Sequence, residues 1–372
     1  MRAVLMMSSL AMGGAERILV SVLPYLRATG LDVRLVTLNT RRDSPLTEDF
    51  VKSGIPRFDM GAKRMIDPDA WSRYVTMLRQ EQIDIIHAQD QDTNIYAAAA
   101  HVRHGMPSVM TRHVLVEPMD TWKEATRARM VLTAAKYGFN RIVAVSEAVR
   151  QNFSKQAGIP LNRIETIYNG IEVERFATRH KREAKRAEMG WEKDTPIVIM
   201  VAVLRRGKGH EVLFEAVPQI QAAVPNVRIK LVGEGELSET LREQAKPYGD
   251  VVEFLGQRKD VPDLLGASDL LILPSLSEAL PTVLIEAGAA SLPLVATDVG
   301  GSAEIVESGK TGFIVPPGQA QPFAERIIHL LKNPVEARDM GERARARVVS
   351  MFSLEQQARQ TVALYERILA QK

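Results

Sequence analysis

Cysteine is absent from the 372 residues, which removes disulfides, thiolate metal sites and cysteine nucleophiles from consideration. Aromatic residues make up only 5% of the chain. Dense basic clusters interleaved with aromatics are missing too, which speaks against nucleic acid as a partner. No run approaches the roughly 20 apolar residues that cross a bilayer. The opening Met1-Arg2-Ala3-Val4-Leu5-Met6-Met7 meets Gly13-Gly14-Ala15-Glu16-Arg17 too soon for an export signal. It reads instead as a first buried strand, and these absences together fit a cytoplasmic protein. Low-complexity tracts and short-period repeats are also lacking.

The residues that are present describe a folded chain. With 45% hydrophobic and 25% charged residues, disorder is excluded as the overall class, and the length calls for two domains. The net charge of +3 is unevenly placed. Residues 1–180 carry 24 Lys/Arg against 19 Asp/Glu, and the remainder carries 24 against 26. A mildly basic first half suits an anionic substrate or membrane surface, although an excess this small is also what a solvated exterior shows.

Short apolar runs alternate with longer helical patterns, the signature of parallel sheets covered by helices on both faces. Strands are expected at 4–7, 33–38, 83–87, 109–111 and 142–146, with helices at 15–28, 70–81, 94–103 and 147–157. The charged stretch 172–191 shows no strand pattern and is taken as the domain junction. The pattern then restarts, with strands at 197–203, 228–232, 251–255, 270–273 and 294–297. Helices are expected between them at 209–222, 237–244, 261–265 and 282–290, and three more at 322–331, 335–350 and 354–370. The fold class is therefore α/β, with two Rossmann-like doubly wound domains facing each other across a cleft. The domains are 1–175 and 190–350, with 354–372 a final helix.

Three motifs carry chemistry. Ser9-Leu10-Ala11-Met12-Gly13-Gly14-Ala15-Glu16-Arg17 turns a strand into a helix through two glycines, a place where backbone amides can meet an anion. The Gly-x-Gly-x-x-Gly fingerprint is missing there, and Asn39 stands where a dinucleotide-binding strand would end in an acid, which disfavours a dehydrogenase. Val203-Leu204-Arg205-Arg206-Gly207-Lys208-Gly209-His210 places three cations and two glycines beside a helix start. It can neutralise two phosphates as magnesium does elsewhere. In Glu278-Ala279-Leu280-Pro281-Thr282-Val283-Leu284-Ile285-Glu286, one carboxylate sits in a loop and the other inside a helix. Their apolar neighbours imply burial, where an unpaired charge is costly.

On these motifs, together with Ile167-Tyr168-Asn169-Gly170-Ile171, Leu231-Val232-Gly233-Glu234-Gly235, Val299-Gly300-Gly301-Ser302-Ala303-Glu304 and Gly309-Lys310-Thr311-Gly312-Phe313, the chain resembles family four of the retaining glycosyltransferases, of GT-B fold. The resemblance covers essentially the whole length. It implies a nucleotide-diphosphate sugar, UDP- or GDP-linked, as substrate, with no cofactor and no metal. Arg205 and Lys208 would hold the diphosphate, helped by the amides of Gly13, Gly14, Thr282 and Val283. Glu286 would take the ribose hydroxyls. Glu278, with Ala279 and Leu280 beside it, would meet the transferred sugar, and backbone at Gly233 and Arg258 would border the base. His113 resembles the histidine that faces the donor sugar, with His87 at a neighbouring strand end as the alternative. Neither has a second ligand at metal spacing. The family pattern places an arginine earlier in the cation loop, where Val203 stands here, so Arg205 or Arg206 takes its part.

The expected reaction is transfer to a glycan, lipid or small-molecule acceptor with retained anomeric configuration. Asp90 and Asp92 have metal-binding spacing but fall away from the donor motifs. The acceptor would enter through loops 40–44, 61–69 and 112–122, whose sequences carry no translatable pattern. Segment 119–137 either lies on an anionic bilayer, giving peripheral contact at the inner face of the membrane, or covers the first domain. The rivals are a sugar-nucleotide epimerase, a glycoside phosphorylase and a non-catalytic sugar-binding protein of the same two-lobed build.

Overall fold

Buried apolar runs become strands wherever helices cover both faces of a sheet. The computed structural model describes residues 1–11, 13–39, 46–115 and 121–371. Met12, the loop 40–44 and part of the loop 112–122 lie outside the described residues. The chain divides into two units, Met1–Gly170 with Leu354–Lys372, and Ile171–Ser353.

In the first unit the strands are β1 (Arg2–Met7), β2 (Asp32–Thr37), β3 (Arg57–Asp59), β4 (Ile85–Ala88), β5 (Ser108–Arg112), β6 (Arg141–Ala144) and β7 (Ile164–Thr166). They pair in parallel in the order β3-β2-β1-β4-β5-β6-β7, with Ala3 opposite both Val33 and Ile85. Helices α1 (Gly14–Ala28), α2 (Leu46–Lys52), α3 (Pro68–Gln80), α4 (Gln91–His104), α5 (Trp122–Tyr137) and α6 (Glu147–Ala157) connect them. Side chains set where several of these helices begin. Asp67 accepts from the Asp69 and Ala70 amides, Asp90 forms a capping box with Thr93, and Thr121 forms one with Glu124.

In the second unit the strands are β8 (Ile197–Val201), β9 (Arg228–Val232), β10 (Val252–Gly256), β11 (Leu270–Leu273), β12 (Leu294–Thr297) and β13 (Gly312–Val315), ordered β10-β9-β8-β11-β12-β13. The helices are α7 (Arg182–Glu188), α8 (His210–Ala223), α9 (Ser238–Ala245), α10 (Val261–Ala267), α11 (Thr282–Ala289), α12 (Ser302–Ile305), α13 (Ala320–Lys332) and α14 (Pro334–Met351). The core joins Val198, Leu231 and Ile272 of the sheet to Leu213, Phe323 and Ile327 of the helices. Helix α15 (Leu354–Leu369) then packs with the first unit, where Leu354, Leu364 and Tyr365 share a core with Leu5, Leu23 and Ile85.

Both sheets place the first strand of the unit at the point where the order reverses, between β1 and β4 and between β8 and β11. In doubly wound sheets that point marks the ligand crevice, at the carboxyl ends of the strands.

The charged stretch 172–191 is ordered and packs with the second unit. Arg186 is buried, and its Nη2 lies 2.7 Å from Asp269 Oδ2 while its Nε donates to the Ala267 carbonyl at 2.9 Å. Arg182 reaches the same Asp269 at 2.5 Å. Three edge strands, β3, β7 and β13, and the helices α2, α5, α7 and α12 were not expected from the sequence, being short or of mixed polarity. Among the described residues no helix is long and apolar enough to cross a membrane.

Candidate active site

Four loops of the second unit meet backbone to backbone at its switch point. The loop after β8 carries Gly209 in the left-handed region, φ 75°, where a Cβ would fall on the Pro274 carbonyl. Gly300, φ 51°, lies just as close to the Glu278 carbonyl, and Gly233 to that of Ala202. Only glycine permits both the dihedral angle and the approach. Hydrogen bonds then tie the loops together. The Leu276 amide donates to the Gly207 carbonyl at 2.8 Å, that of Gly301 to Ala279 at 3.0 Å, and that of Leu204 to Glu234 at 3.1 Å.

On this frame Lys208 Nζ lies 2.6 Å from Glu278 Oε1, with side chains only 15% and 11% exposed. Ser275, fully buried, donates from Oγ to the same carboxylate oxygen at 2.7 Å, and Thr297 Oγ1 in turn holds the Ser275 carbonyl. Two opposite charges are thereby kept out of water in one fixed arrangement, each the partner of the other. Arg205 and Arg206 stand exposed in the same loop, and neither pairs with a described carboxylate. Thr282 and Val283 form the first turn of α11, which has no side-chain cap, and Leu280 is buried just before it. Glu286 lies one turn further on, half-buried.

The Arg258 guanidinium is committed to Asp260, with Nε at 2.8 Å from Oδ1 and Nη2 at 2.7 Å from Oδ2. That fork, with Lys185 beside it, holds the Asp260 carboxyl well below the usual range. The fork leaves the backbone at Arg258, which the resemblance expects beside the base, outside this ion pair. Ser275 and His210 were not singled out in the sequence. Ser275 stands three residues before Glu278, a spacing that carries little information without the loop. His210 opens α8, and burial lowers its pKa to about 4.

The first unit presents a different set. Gly13 caps α1 with extended backbone, and a Cβ there would fall on the Glu16 carboxylate. The chain's own carboxylate thus lies over the helix start where an outside anion was expected, and burial raises the Glu16 pKa. His113 follows β5, half-buried, with Nε2 3.1 Å from Gln89 Oε1. Burial, then the charge of Arg112, lowers its pKa to about 4. His87 is buried between Tyr365 Oη at 2.5 Å and Thr111 Oγ1 at 2.7 Å, and burial lowers its pKa to about 3. These two histidines line a cavity of about 20 Å³ with Gln89, Asn169 and Gln357, room for about one water. Asp92, of the Asp90–Asp92 pair, is bonded to Arg127 at 2.6 Å, and Asp90 caps α4. Among the described residues no group of three or more His, Cys, Asp or Glu is placed to hold a metal ion.

One chain that builds the doubly wound sheet twice, with its glycine loops at each switch point, has the GT-B class of α/β architecture. Residues 12–175 match the model of Glycosyltransferase Family 4, and residues 181–347 match that of Glycosyl transferases group 1. The chain belongs to this family of glycosyltransferases. It is similar to N-acetyl-alpha-D-glucosaminyl L-malate synthase of Bacillus anthracis, 33% identical over 56% of this chain and 55% of that protein. The chain thus spans about half the length of that relative. A match to UDP-Gal:alpha-D-GlcNAc-diphosphoundecaprenol alpha-1,3-galactosyltransferase of Escherichia coli is 23% identical over 92% and 91% of the two chains. Among solved structures, Anabaena Alr3699/HepE in complex with UDP-glucose is 25% identical with a TM-score of 0.81, covering 98% of this chain and 99% of that one.

Proposed function

We propose that the chain transfers a sugar from a UDP- or GDP-sugar to a glycan, lipid or small-molecule acceptor, with retention of anomeric configuration and without a metal ion. The observation that carries this reading is the Lys208–Glu278 pair in a loop kept in place by Gly209 and Gly300. Donor binding divides the pair. The ammonium turns to the diphosphate and the carboxylate to the hydroxyls of the sugar, so each charge exchanges one partner for another. Arg205 or Arg206 adds a guanidinium, the Thr282 and Val283 amides add donors at a helix start, and Glu286 accepts from the ribose.

In the reaction the bond from the anomeric carbon to the phosphate oxygen breaks and the bond to the acceptor oxygen forms on the same face. The acceptor proton passes to the departing phosphate oxygen, so no separate base is needed. Fixed cations stabilise the charge that grows on the diphosphate. A UDP-glucose complex of a 25% identical neighbour and a diphosphoundecaprenol-linked acceptor in the name of a relative support the donor and acceptor classes.

Lys208→Ala should lower turnover by roughly 10²-fold or more, on the scale of losing one preorganised donor. The assay is sugar transfer from a panel of UDP- and GDP-sugars, with product anomers read by NMR and chelator added in parallel. Full activity in the variant, loss of activity with chelator, an inverted product, or an epimerised nucleotide sugar in place of transfer would each sink the reading.

A further inference from the structure

A groove of about 280 Å³ runs between α3 and α4 of the first unit, lined by Met65, Ile66, Trp71, Ile95, Tyr96 and Ala99. None of these residues belongs to the charged site of the second unit, and Met65 and Ile66 lie in loop 61–69, expected on the acceptor side. The walls are tied together, since Asp67 caps α3 and its amide donates to Tyr96 Oη at 3.1 Å, while Trp71 stacks on His104 with ring centres 6.0 Å apart. Ile66 is 57% exposed at the mouth, an apolar side chain left in water beside an apolar trough. Arg103 also lines the groove, and Arg64 lies close enough to Tyr96 and Asp67 to act on their charges. Both arginines are exposed, and neither pairs with a described carboxylate. The one carboxylate in the wall, Asp67, is satisfied by the amides of Lys63, Asp69 and Ala70. The groove is therefore apolar within and cationic at its rim.

We propose that this groove seats the hydrocarbon chain of a lipid-linked acceptor whose phosphate lies against Arg64 and Arg103. This rests on the transferase reading above and narrows its acceptor to an amphiphile with an anionic head. The groove's volume holds on the order of ten carbon atoms, if each fills about the 30 Å³ of a small solvent molecule. Loop 60–67 follows the carboxyl end of β3, while Arg103 stands near the last residue of α4, at the end of that helix opposite Asp90.

The test is calorimetric titration of the full chain with single alkyl phosphates of six to twelve carbons, and with the matching alkanols, all below their aggregation thresholds. Affinity should rise about fourfold per added methylene, level off near ten carbons, and be at least tenfold weaker for the alkanols. Ala99→Trp should abolish the dependence on chain length by filling the trough. Ile66→Glu, at an exposed position that leaves packing alone, should weaken decyl phosphate at least tenfold. Arg64→Ala with Arg103→Ala should remove the preference for phosphate over alcohol. UDP and GDP are titrated into the same samples. Unchanged nucleotide binding in the variants shows that the fold and the donor site survive, whereas a chain that binds no nucleotide at all counts against the transferase reading and not against the groove. Affinity independent of chain length, insensitivity to both Ala99→Trp and Ile66→Glu, or binding to phospholipid vesicles with none to the monomers would overturn the proposal.

Discussion

The two units share a strand order and differ in how their switch points are built. In the second, Lys208 is paired with Glu278 and the loops are locked by glycines lying against carbonyls, as Gly300 lies against Glu278. In the first, the corresponding edge holds uncharged imidazoles, His87 and His113, and Gly14 has open space where a Cβ would go. The difference teaches that one fold can prepare a site in two ways. Fixed charge requires a backbone that cannot move, whereas buried neutral groups require only that water be kept out.

Acidification should separate the units most strongly. The folded pKa values of His87 and His113, about 3 and about 4, lie below the ordinary 6.5. The unfolded chain therefore takes up protons first, and stability present above pH 6.5 is lost as the pH falls toward 4. Between pH 7 and pH 5 each such histidine should cost up to about 2 kcal/mol. The first unit has two and the second has His210 alone, near 4, so hydrogen exchange should show the first unit opening sooner. Equal loss in both units would break the contrast.

The glycines give the next largest effect. Gly300→Ala should cost about 1–3 kcal/mol in backbone strain, which lowers the melting temperature of the second unit by several degrees and weakens nucleotide diphosphate binding. Gly14→Ala should leave melting of the first unit unchanged or slightly raised, because its Cβ meets nothing. A comparable drop in both variants would show that the loops of the second unit are no more constrained than those of the first. The smallest effect is expected from Tyr365→Phe, which removes the hydroxyl beside His87 Nδ1. Calorimetry should register a loss of about 1 kcal/mol confined to the first unit, with nucleotide binding unaltered.

Much of this was legible in the residues. Runs such as Ile197–Val201 and Leu270–Leu273 are apolar throughout because helices cover them on both sides, and they were placed within a residue or two. The edge strand Arg57–Asp59 is only three residues long, with Phe58 between two charged residues, and carries no such signal. Lys208 and Glu278 stood out as chemistry, but their direct bond did not, since seventy residues of chain separate them. Ser275 was missed although it stands only three residues before Glu278, its role being set by where the loop folds. The run at 172–191 reads as charged and without strands, and the division between the units falls at its edge. Two of its arginines, Arg182 and the buried Arg186, pair with Asp269, and charge in a sequence does not reveal whether a partner waits in the fold.

Helix α15 lies far from the first unit along the chain, yet its Leu354, Leu364 and Tyr365 pack among Leu5, Leu23 and Ile85. During synthesis, therefore, the amino-terminal unit stays incomplete while the whole of Ile171–Ser353 emerges. The part made second can close its core first, and the part made first waits with an apolar seam open to water until residues 354–369 have left the ribosome.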